Sequence, residues 1–239
     1  MPVSALPGAA SALLAIIFAG LTWRQWLVRR RPYQLVWAVG LTFFAVAVGM
    51  ELAHALTGWT TITYRLWYLC GAVLAAPFLG QGTAYLLLPR GVAHLMMGLL
   101  AFATIGVISV TLQADIDFAR FASPGEEFSG QAFFAPGEVL FLTPRAWTIP
   151  FNFYGTLLLG GGAVYSAGLF FRRRIMARRM WGNVLIALGA FTIAGTGMLN
   201  RLGQPGFQTL GVLAAVTLLF IGFLQASAPD RRGDASPRA

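Results

Sequence analysis

The residue types that could do chemistry are concentrated in one stretch of an otherwise apolar sequence, GMELAHALTGWTTITYRLWYL (49–69). It carries Glu51 and His54 three residues apart, followed by Arg65 and Tyr68 at the same spacing. An unpaired charge in hydrocarbon costs on the order of 2.5 to 3.5 kcal/mol, so a buried acid needs a partner. We expect Glu51 and Arg65 to neutralise each other as an ion pair, with His54 and Tyr68 completing the hydrogen bonding.

Two interpretations of this group stay open. In the first, the ion pair is a structural clamp that holds two neighbouring helices together at a tight turn. In the second, the same side chains frame a polar pocket that opens to the outside of the membrane and binds a ligand. Polar residues elsewhere in the sequence favour the pocket, as described below.

Metal and catalytic chemistry find little support in the sequence. The Glu51-x-x-His54 spacing occurs in carboxylate-bridged metal sites of helix bundles, but such sites need further inward-facing Glu or His ligands. The second histidine, His94, begins a helix on the other side of the membrane, and the single cysteine, Cys70, cannot form an internal disulfide. We therefore predict no catalytic residue, no metal and no cofactor, and expect that the protein is not an enzyme. An intramembrane enzyme with Glu51 or His54 as general base is the third alternative.

The composition indicates what must position these side chains. Of the 239 residues, 57% are hydrophobic and 10% are charged, and the mean hydropathy is +0.70. A soluble domain carries about a quarter charged residues, so we predict an integral membrane protein with the lipid bilayer as its surroundings. The net charge of +9 comes from arginines in short clusters between apolar runs, so we predict no nucleic-acid partner. The chain has no lysine, which excludes a retinal Schiff base.

Seven apolar segments are long enough to cross a bilayer as helices, which takes about 20 residues each. The arginines at 24–31, at 90 and at 172–179 fall on one side of these segments, and the positive-inside rule makes that side cytoplasmic. We predict an all-α, polytopic membrane protein, a seven-transmembrane-helix bundle with N-out/C-in topology, in the cell (inner or plasma) membrane. The predicted spans are 5–23, 34–57, 62–88, 92–113, 147–171, 181–202 and 207–226.

One domain, residues 1–226, is predicted to hold all seven helices. The connection 114–146 is too rich in phenylalanine for a solvated linker, so we expect it to fold over the outer mouth of the bundle as a lid. Residues 227–239 are polar and are predicted to form a disordered cytoplasmic tail. No positive region precedes the first apolar run, so we expect that run to remain as a helix and not to be cleaved as a signal peptide.

Polar residues of the fifth and sixth segments extend the predicted pocket. Thr196 and Asn200 lie four residues apart on one helix face, and Asn152 lies near the outer end of the fifth segment. Helix packing also explains each position by itself, because threonine hydroxyls commonly bond their own backbone. Arg65 and Arg201 would be counter-charges for a small-molecule or lipid ligand that is anionic or amphipathic. The predicted ligand-binding residues are Glu51, His54, Arg65, Tyr68, Asn152, Thr196, Asn200 and Arg201.

A weak internal repeat relates the second and sixth segments. Arg31 aligns with Arg179, and Gly49 aligns with Gly197. Because both segments run from inside to outside, a parallel duplication of three helices on either side of the fourth is possible, as in some transporters. The alternative function is therefore a small-molecule transporter with parallel three-helix repeats.

A resemblance to a known family is carried by residues 36–87, VWAVGLTFFAVAVGMELAHALTGWTTITYRLWYLCGAVLAAPFLGQGTAYLL. An aromatic-led helix ends in an acid, Glu51, and is followed by an Arg-x-x-Tyr helix with a proline, here Arg65, Tyr68 and Pro77. This pattern resembles the second and third helices of the seven-helix N-terminal membrane sensor region of bacterial histidine kinases. The stretch 172–203 is similar to the basic loop and sixth helix of that region.

The resemblance implies a bacterial seven-helix bundle that senses a small extracytoplasmic or membrane-borne molecule. Those sensors continue into a kinase, cyclase or similar effector, whereas this sequence ends soon after its seventh apolar segment. Without an attached effector domain, signalling would pass to a separate cytoplasmic or membrane protein partner through the arginine-rich loops.

Overall fold

The computed structural model describes residues 6–121, 128–134, 143–173, 177–201 and 207–227. Seven helices in these ranges are long and apolar enough to cross a membrane, which confirms the all-α fold and the seven predicted spans. The first helix runs past the predicted limit of residue 23, because the segment that follows contains no helix breaker before Pro32. The helices are α1 (Leu6–Arg29), α2 (Pro32–Thr57), α3 (Thr61–Leu87), α4 (Arg90–Gln113), α5 (Pro144–Arg173), α6 (Ala177–Arg201) and α7 (Gln208–Ser227).

The turn between α2 and α3 is short and strongly specified. Gly58 ends α2 with a φ of 80°, a left-handed conformation that glycine adopts without strain. Thr60 then caps α3, since its Oγ1 accepts a bond from the Thr63 backbone N–H at 3.2 Å, and the Thr63 hydroxyl accepts one from the Thr60 N–H at 3.0 Å. This hairpin places the last turns of α2 beside the first turns of α3.

Six of the helices form a ring in the order α1, α2, α3, α5, α6 and α7. The ring closes where α1 packs parallel to α7, with the ring of Phe18 5.4 Å from Phe220 and 4.9 Å from Phe223. Helix α4 lies outside the ring against α3 and α5, and it is the least buried of the seven. Most of its surface is therefore left to face lipid.

Apolar side chains fill the centre of the ring. One cluster includes Ala15, Val48 and Val216, and a second includes Leu41 and Leu219. In lipid, helices gain little from apolar contact as such, so close van der Waals packing of small and branched residues holds them together.

Helices α3 and α5 each contain one π-helical segment. In α3 it covers Tyr68–Leu74, between α-helical segments Thr61–Trp67 and Ala75–Leu87. Pro77 lies three residues after this segment. A proline removes one backbone donor and clashes with the carbonyl four residues earlier, here that of Val73 within the segment, so a wider turn accommodates it. In α5 the π-helical segment is Leu157–Gly161, between Pro144–Thr156 and Gly162–Arg173.

The connection between α4 and α5 contains a small two-stranded ribbon. Strand β1 (Asp115–Ile116) pairs antiparallel with β2 (Phe133–Phe134), and a 3₁₀ turn covers Phe118–Arg120. The remainder of the predicted lid, residues 122–127 and 135–142, lies outside the described residues. The predicted tail, residues 227–239, also lies outside them except for Ser227.

Candidate functional site

The two ends of the bundle differ in chemistry. We call one the loop end, because it carries the α2–α3 turn, the connection 114–143 and the start of α7. The other is the arginine end, where Arg29, Arg90, Arg173 and Arg178 lie at the ends of α1, α4, α5 and α6. The predicted chemistry of residues 49–69 lies at the loop end.

An aromatic cluster dominates the loop end. Tyr64 is fully buried at its centre, with its ring 5.0 Å from that of Phe133. Tyr68 lies 4.8 Å from Phe133, while His54 stacks on Trp59 at 4.3 Å with the two rings almost parallel. The rings come from α2, the turn, α3 and the loop, so they join the helices to the ribbon. The aromatic cluster consists of His54, Trp59, Tyr64, Trp67, Tyr68, Phe118, Phe121, Phe128 and Phe133.

Polar contacts fasten the loop to α3. The Tyr64 hydroxyl donates a hydrogen bond to the Ser129 carbonyl, and Arg65 donates from Nη2 to the Ala114 carbonyl at 2.8 Å. Gly130 lies so close to Tyr68 that an added Cβ would be 2.6 Å from the phenolic oxygen. The described part of the predicted lid therefore packs directly on the first turns of α3.

Glu51 is the point where three helices meet at this end. Its Oε1 accepts a hydrogen bond from the Trp67 indole N–H at 2.9 Å, and the side chain of Gln208 also bonds the carboxylate. These residues belong to α2, α3 and α7. We call this arrangement the Glu51 node. It lies beside the aromatic cluster, because Trp67 is a member of both.

The predicted ion pair between Glu51 and Arg65 is wrong. Glu51 bonds to Trp67 and Gln208, whereas Arg65 bonds to the Ala114 carbonyl on the loop side of α3. The reason is helical geometry, since residues two apart on a helix point about 200° apart. When Trp67 faces α2, Arg65 must face away from α2.

The other predicted residues are distributed between the cluster and the helix contacts. His54 and Tyr68 belong to the aromatic cluster. Asn152 donates to the Ala72 carbonyl at 2.7 Å in the π-helical segment of α3, and Thr196 donates to the Thr192 carbonyl of its own helix at 2.8 Å. The side chains of Asn200 and Arg201 lie outside the described part of the structure.

Packing explains the positions of Asn152 and Thr196. A π-helical turn leaves a carbonyl without its usual partner, and the Asn152 amide supplies a donor to one such carbonyl. Thr196 is buried against α7 at Gly211, where an added Cβ would lie 2.3 Å from the threonine hydroxyl. Both residues therefore lie at helix–helix contacts, which agrees with the interpretation that helix packing explains each position by itself.

A second polar node was not predicted as such from the sequence. Gln81 is fully buried, donates from Nε2 to the Ala93 carbonyl of α4 at 2.8 Å, and accepts at Oε1 from the Tyr154 hydroxyl of α5. Nearby, the Tyr85 hydroxyl lies 3.0 Å from Nδ1 of His94. We call Gln81 with its two partners the Gln81 node. The available sequence signal was a glutamine within an apolar helix, four residues before a tyrosine.

The chemistry of the loop end suits recognition better than bond making. The carboxylate of Glu51 is held by two neutral donors, and His54 stacks on Trp59. Among the residues that the structure describes, no three His, Cys, Asp or Glu side chains lie close enough to hold a metal ion. The loop end combines a largely buried cluster of aromatic rings with a few polar groups, and small-molecule sites are lined by the same kinds of side chain.

No protein-family model, curated protein or solved structure matches this chain. The resemblance of residues 36–87 and 172–203 to the sensor region of histidine kinases therefore stays a prediction.

Proposed function

We propose that the chain is a sensor-like, multi-pass protein of a bacterial cell membrane, with the loop end outside and the arginine end in the cytoplasm. The positive-inside rule supports this orientation, because arginines gather at the end of α1, the end of α5 and the start of α6, all at the arginine end. Its role is to bind a small amphipathic ligand at the loop end. The aromatic cluster is the binding surface, and the loop is the lid over it.

The Glu51 node is the single observation that carries this proposal. It joins α2, α3 and α7 through the Trp67 indole, which is also part of the aromatic cluster. A ligand that displaces loop rings from the cluster moves Trp67 and so changes how the three helices meet. Binding outside the membrane thereby alters the helix arrangement, which a separate protein partner reads in the cytoplasm.

The ligand class follows from the charges around the cluster. Arg65 uses one amino group on the Ala114 carbonyl, while its buried Nε has no hydrogen-bond partner among the described residues. Arg145 lies over Gly130, beside Tyr68. A ligand with an anionic head and an apolar body, such as a fatty acid, would place its head at these guanidinium groups and its body among the rings.

Binding of decanoate to the detergent-purified protein tests the proposal. We expect decanoate to raise the midpoint of thermal unfolding and to change tryptophan emission, because Trp59 and Trp67 lie in the cluster. The Arg65→Gln variant should lose most of this response, since its guanidinium would meet the carboxylate. Arg90→Gln, at the arginine end, is the matched control and should respond like the wild type.

Two results would overturn the assignment. One is a wild-type protein that neither responds to decanoate nor carries any small amphipath detectable by mass spectrometry after purification. The other is an equal response in wild type and Arg65→Gln, which would place binding elsewhere or in the detergent.

A transporter is the second candidate, and the exclusion of α4 from the ring favours it. Exchanging α1–α3 with α5–α7 maps the ring onto itself and leaves α4 as the linker, which is the arrangement of a three-plus-one-plus-three repeat. Transport predicts substrate accumulation in proteoliposomes, whereas sensing predicts ligand-dependent stabilisation without flux. The apolar filling of the ring centre supports sensing.

A further inference from the structure

The turn between α1 and α2, at the arginine end, borders an open cavity. Its volume is about 540 Å³, and Arg29, Arg31 and Tyr33 line it. This cavity lies across the bundle from the aromatic cluster, so the role of one does not depend on the role of the other.

The backbone of the turn separates three consecutive arginines. Arg30 has a φ of 50°, a left-handed conformation that is uncommon outside glycine. Its guanidinium lies 4.6 Å from the centre of the Trp26 ring, a cation–π contact on α1. Arg29 and Arg31, on either side of it, are the two that face the cavity.

The lining groups are suited to a phosphate. Each of the two guanidinium groups can donate two parallel hydrogen bonds to phosphate oxygens, and the phenolic hydroxyl of Tyr33 adds a further donor. The cavity also lies at the first residues of α2, a helix of 26 residues whose positive end favours an anion. The acidic residues that the structure describes, Glu51, Asp115 and Asp117, all belong to the loop end and do not compete here.

Apolar surface adjoins this phosphate-binding chemistry. Leu27 and Val28 directly precede Arg29 on α1, and their exposed fractions are 54% and 77%. In a membrane these side chains lie at the level where acyl chains begin. We propose that the α1–α2 turn binds the head group of an acidic phospholipid, with the phosphate at Arg29 and Arg31 and the acyl chains along α1.

Native mass spectrometry of the full chain in neutral detergent tests this site, with phosphatidylglycerol and phosphatidylcholine of identical acyl chains as probes. The wild type should retain phosphatidylglycerol in preference to phosphatidylcholine. The double variant Arg29→Gln/Arg31→Gln should bind phosphatidylglycerol on the order of 30-fold more weakly, because each arginine near a lipid surface strengthens binding roughly fivefold. Binding of phosphatidylcholine should stay the same.

The matched control is Arg172→Gln/Arg173→Gln, which removes two arginines from the same end of the bundle but not from the cavity. It should bind phosphatidylglycerol as the wild type does, and an equal loss there would overturn the site in favour of general surface charge. No preference between the two lipids in the wild type would also overturn it.

Inorganic phosphate in excess separates a lipid from a free anion. It should leave phosphatidylglycerol bound, and full displacement by phosphate alone would overturn the lipid assignment. Should the double glutamine variant fail to fold, Tyr33→Phe decides instead. Loss of its hydroxyl should weaken phosphatidylglycerol binding about threefold, and unchanged binding would contradict the proposal.

Discussion

The two polar nodes hold α3 from opposite sides with different chemistry. In the Gln81 node a neutral amide satisfies a backbone carbonyl of α4 and a tyrosine hydroxyl of α5, and each end of the amide has a partner. In the Glu51 node a carboxylate meets two neutral donors beside the aromatic cluster. An amide enters a bilayer protein at far lower cost than an acid, so an acid is retained where its charge is used. The proposed ligand binding therefore rests on the loop end, whereas the Gln81 node is expected to serve stability.

The largest expected loss of stability comes from a substitution that forces α3 and α5 apart. At Gly155 an added Cβ would lie 2.3 Å from the carbonyl carbon of Ala76 and 2.7 Å from the nitrogen of Pro77, so backbone would have to move. Gly155→Ala should lower the free energy of unfolding by about 3 kcal/mol and break the Gln81 node, because Tyr154 is the neighbouring residue. Unfolding by SDS titration in bicelles measures this loss.

Gly161→Ala is the matched control in the same helix. The nearest atom to its added Cβ is Cδ1 of Leu157 at 3.9 Å, an ordinary contact, so stability should hardly change. Equal losses at Gly155 and Gly161 would mean that the close approach of α3 and α5 contributes nothing special to stability.

The Gln81 node should give the next largest effect. Gln81→Leu removes two hydrogen bonds and leaves a buried carbonyl and hydroxyl unsatisfied, at a cost of about 1 to 2 kcal/mol. Tyr154→Phe removes one of these bonds and should cost about half as much. In a double-mutant cycle measured by SDS titration, the double variant should lose less stability than the sum of the losses of the two single variants.

Gln113→Leu is the control for this cycle, because Gln113 is exposed and bonds only to Ser109 within its own helix. It should leave stability unchanged. If the stability losses of Gln81→Leu and Tyr154→Phe are strictly additive, the Gln81 node is not a stabilising contact.

The smallest effect on stability should come from Glu51→Gln, which replaces the carboxylate of the Glu51 node with an amide like that of the Gln81 node. Glu51→Gln keeps an oxygen that can accept from the Trp67 indole, so unfolding should change by less than about 0.5 kcal/mol. Glu51→Leu leaves the indole N–H without that acceptor and should cost about 1 kcal/mol. If Glu51→Gln is as costly as Glu51→Leu, the negative charge itself stabilises the fold and the comparison fails.

A cycle with Arg65→Ala tests the corrected pairing. Since Arg65 bonds to the Ala114 carbonyl and not to Glu51, the losses from Glu51→Ala and Arg65→Ala should add to within about 0.5 kcal/mol. A coupling clearly above that would restore the ion pair expected from the sequence.

The sequence predicted where the helices lie along the chain better than it predicted which face of each helix meets its neighbours. Apolar length was enough to find seven helices, and the Gly58 turn was enough to place Glu51 near the start of α3. Opposite charge then suggested Arg65 as the partner, but the face of α3 that meets α2 carries Trp67. A neutral indole gives no charge signal, so periodicity alone could not choose it.

Two further features of the structure could not be predicted from the residue types in the sequence. A π-helical turn shifts the register of all later side chains by about 100°, so the face of Gln81 does not follow from the positions of Tyr64 and Trp67. Backbone carbonyls are also partners that every residue offers, and those of Ala72, Ala93 and Ala114 each bind a key side chain. Only the packed chain reveals which carbonyl is within reach.

The exposed position of α4 bears on how the chain is made. Helix α4 has the highest mean hydropathy of the seven, while α3 and α5, against which it lies, have the lowest. A segment that leaves the translocon enters lipid according to its own hydropathy. Helix α4 can thus enter lipid on its own hydropathy, whereas α3 and α5 depend more on the polar contacts that they make with each other and with α4 once the bundle has assembled.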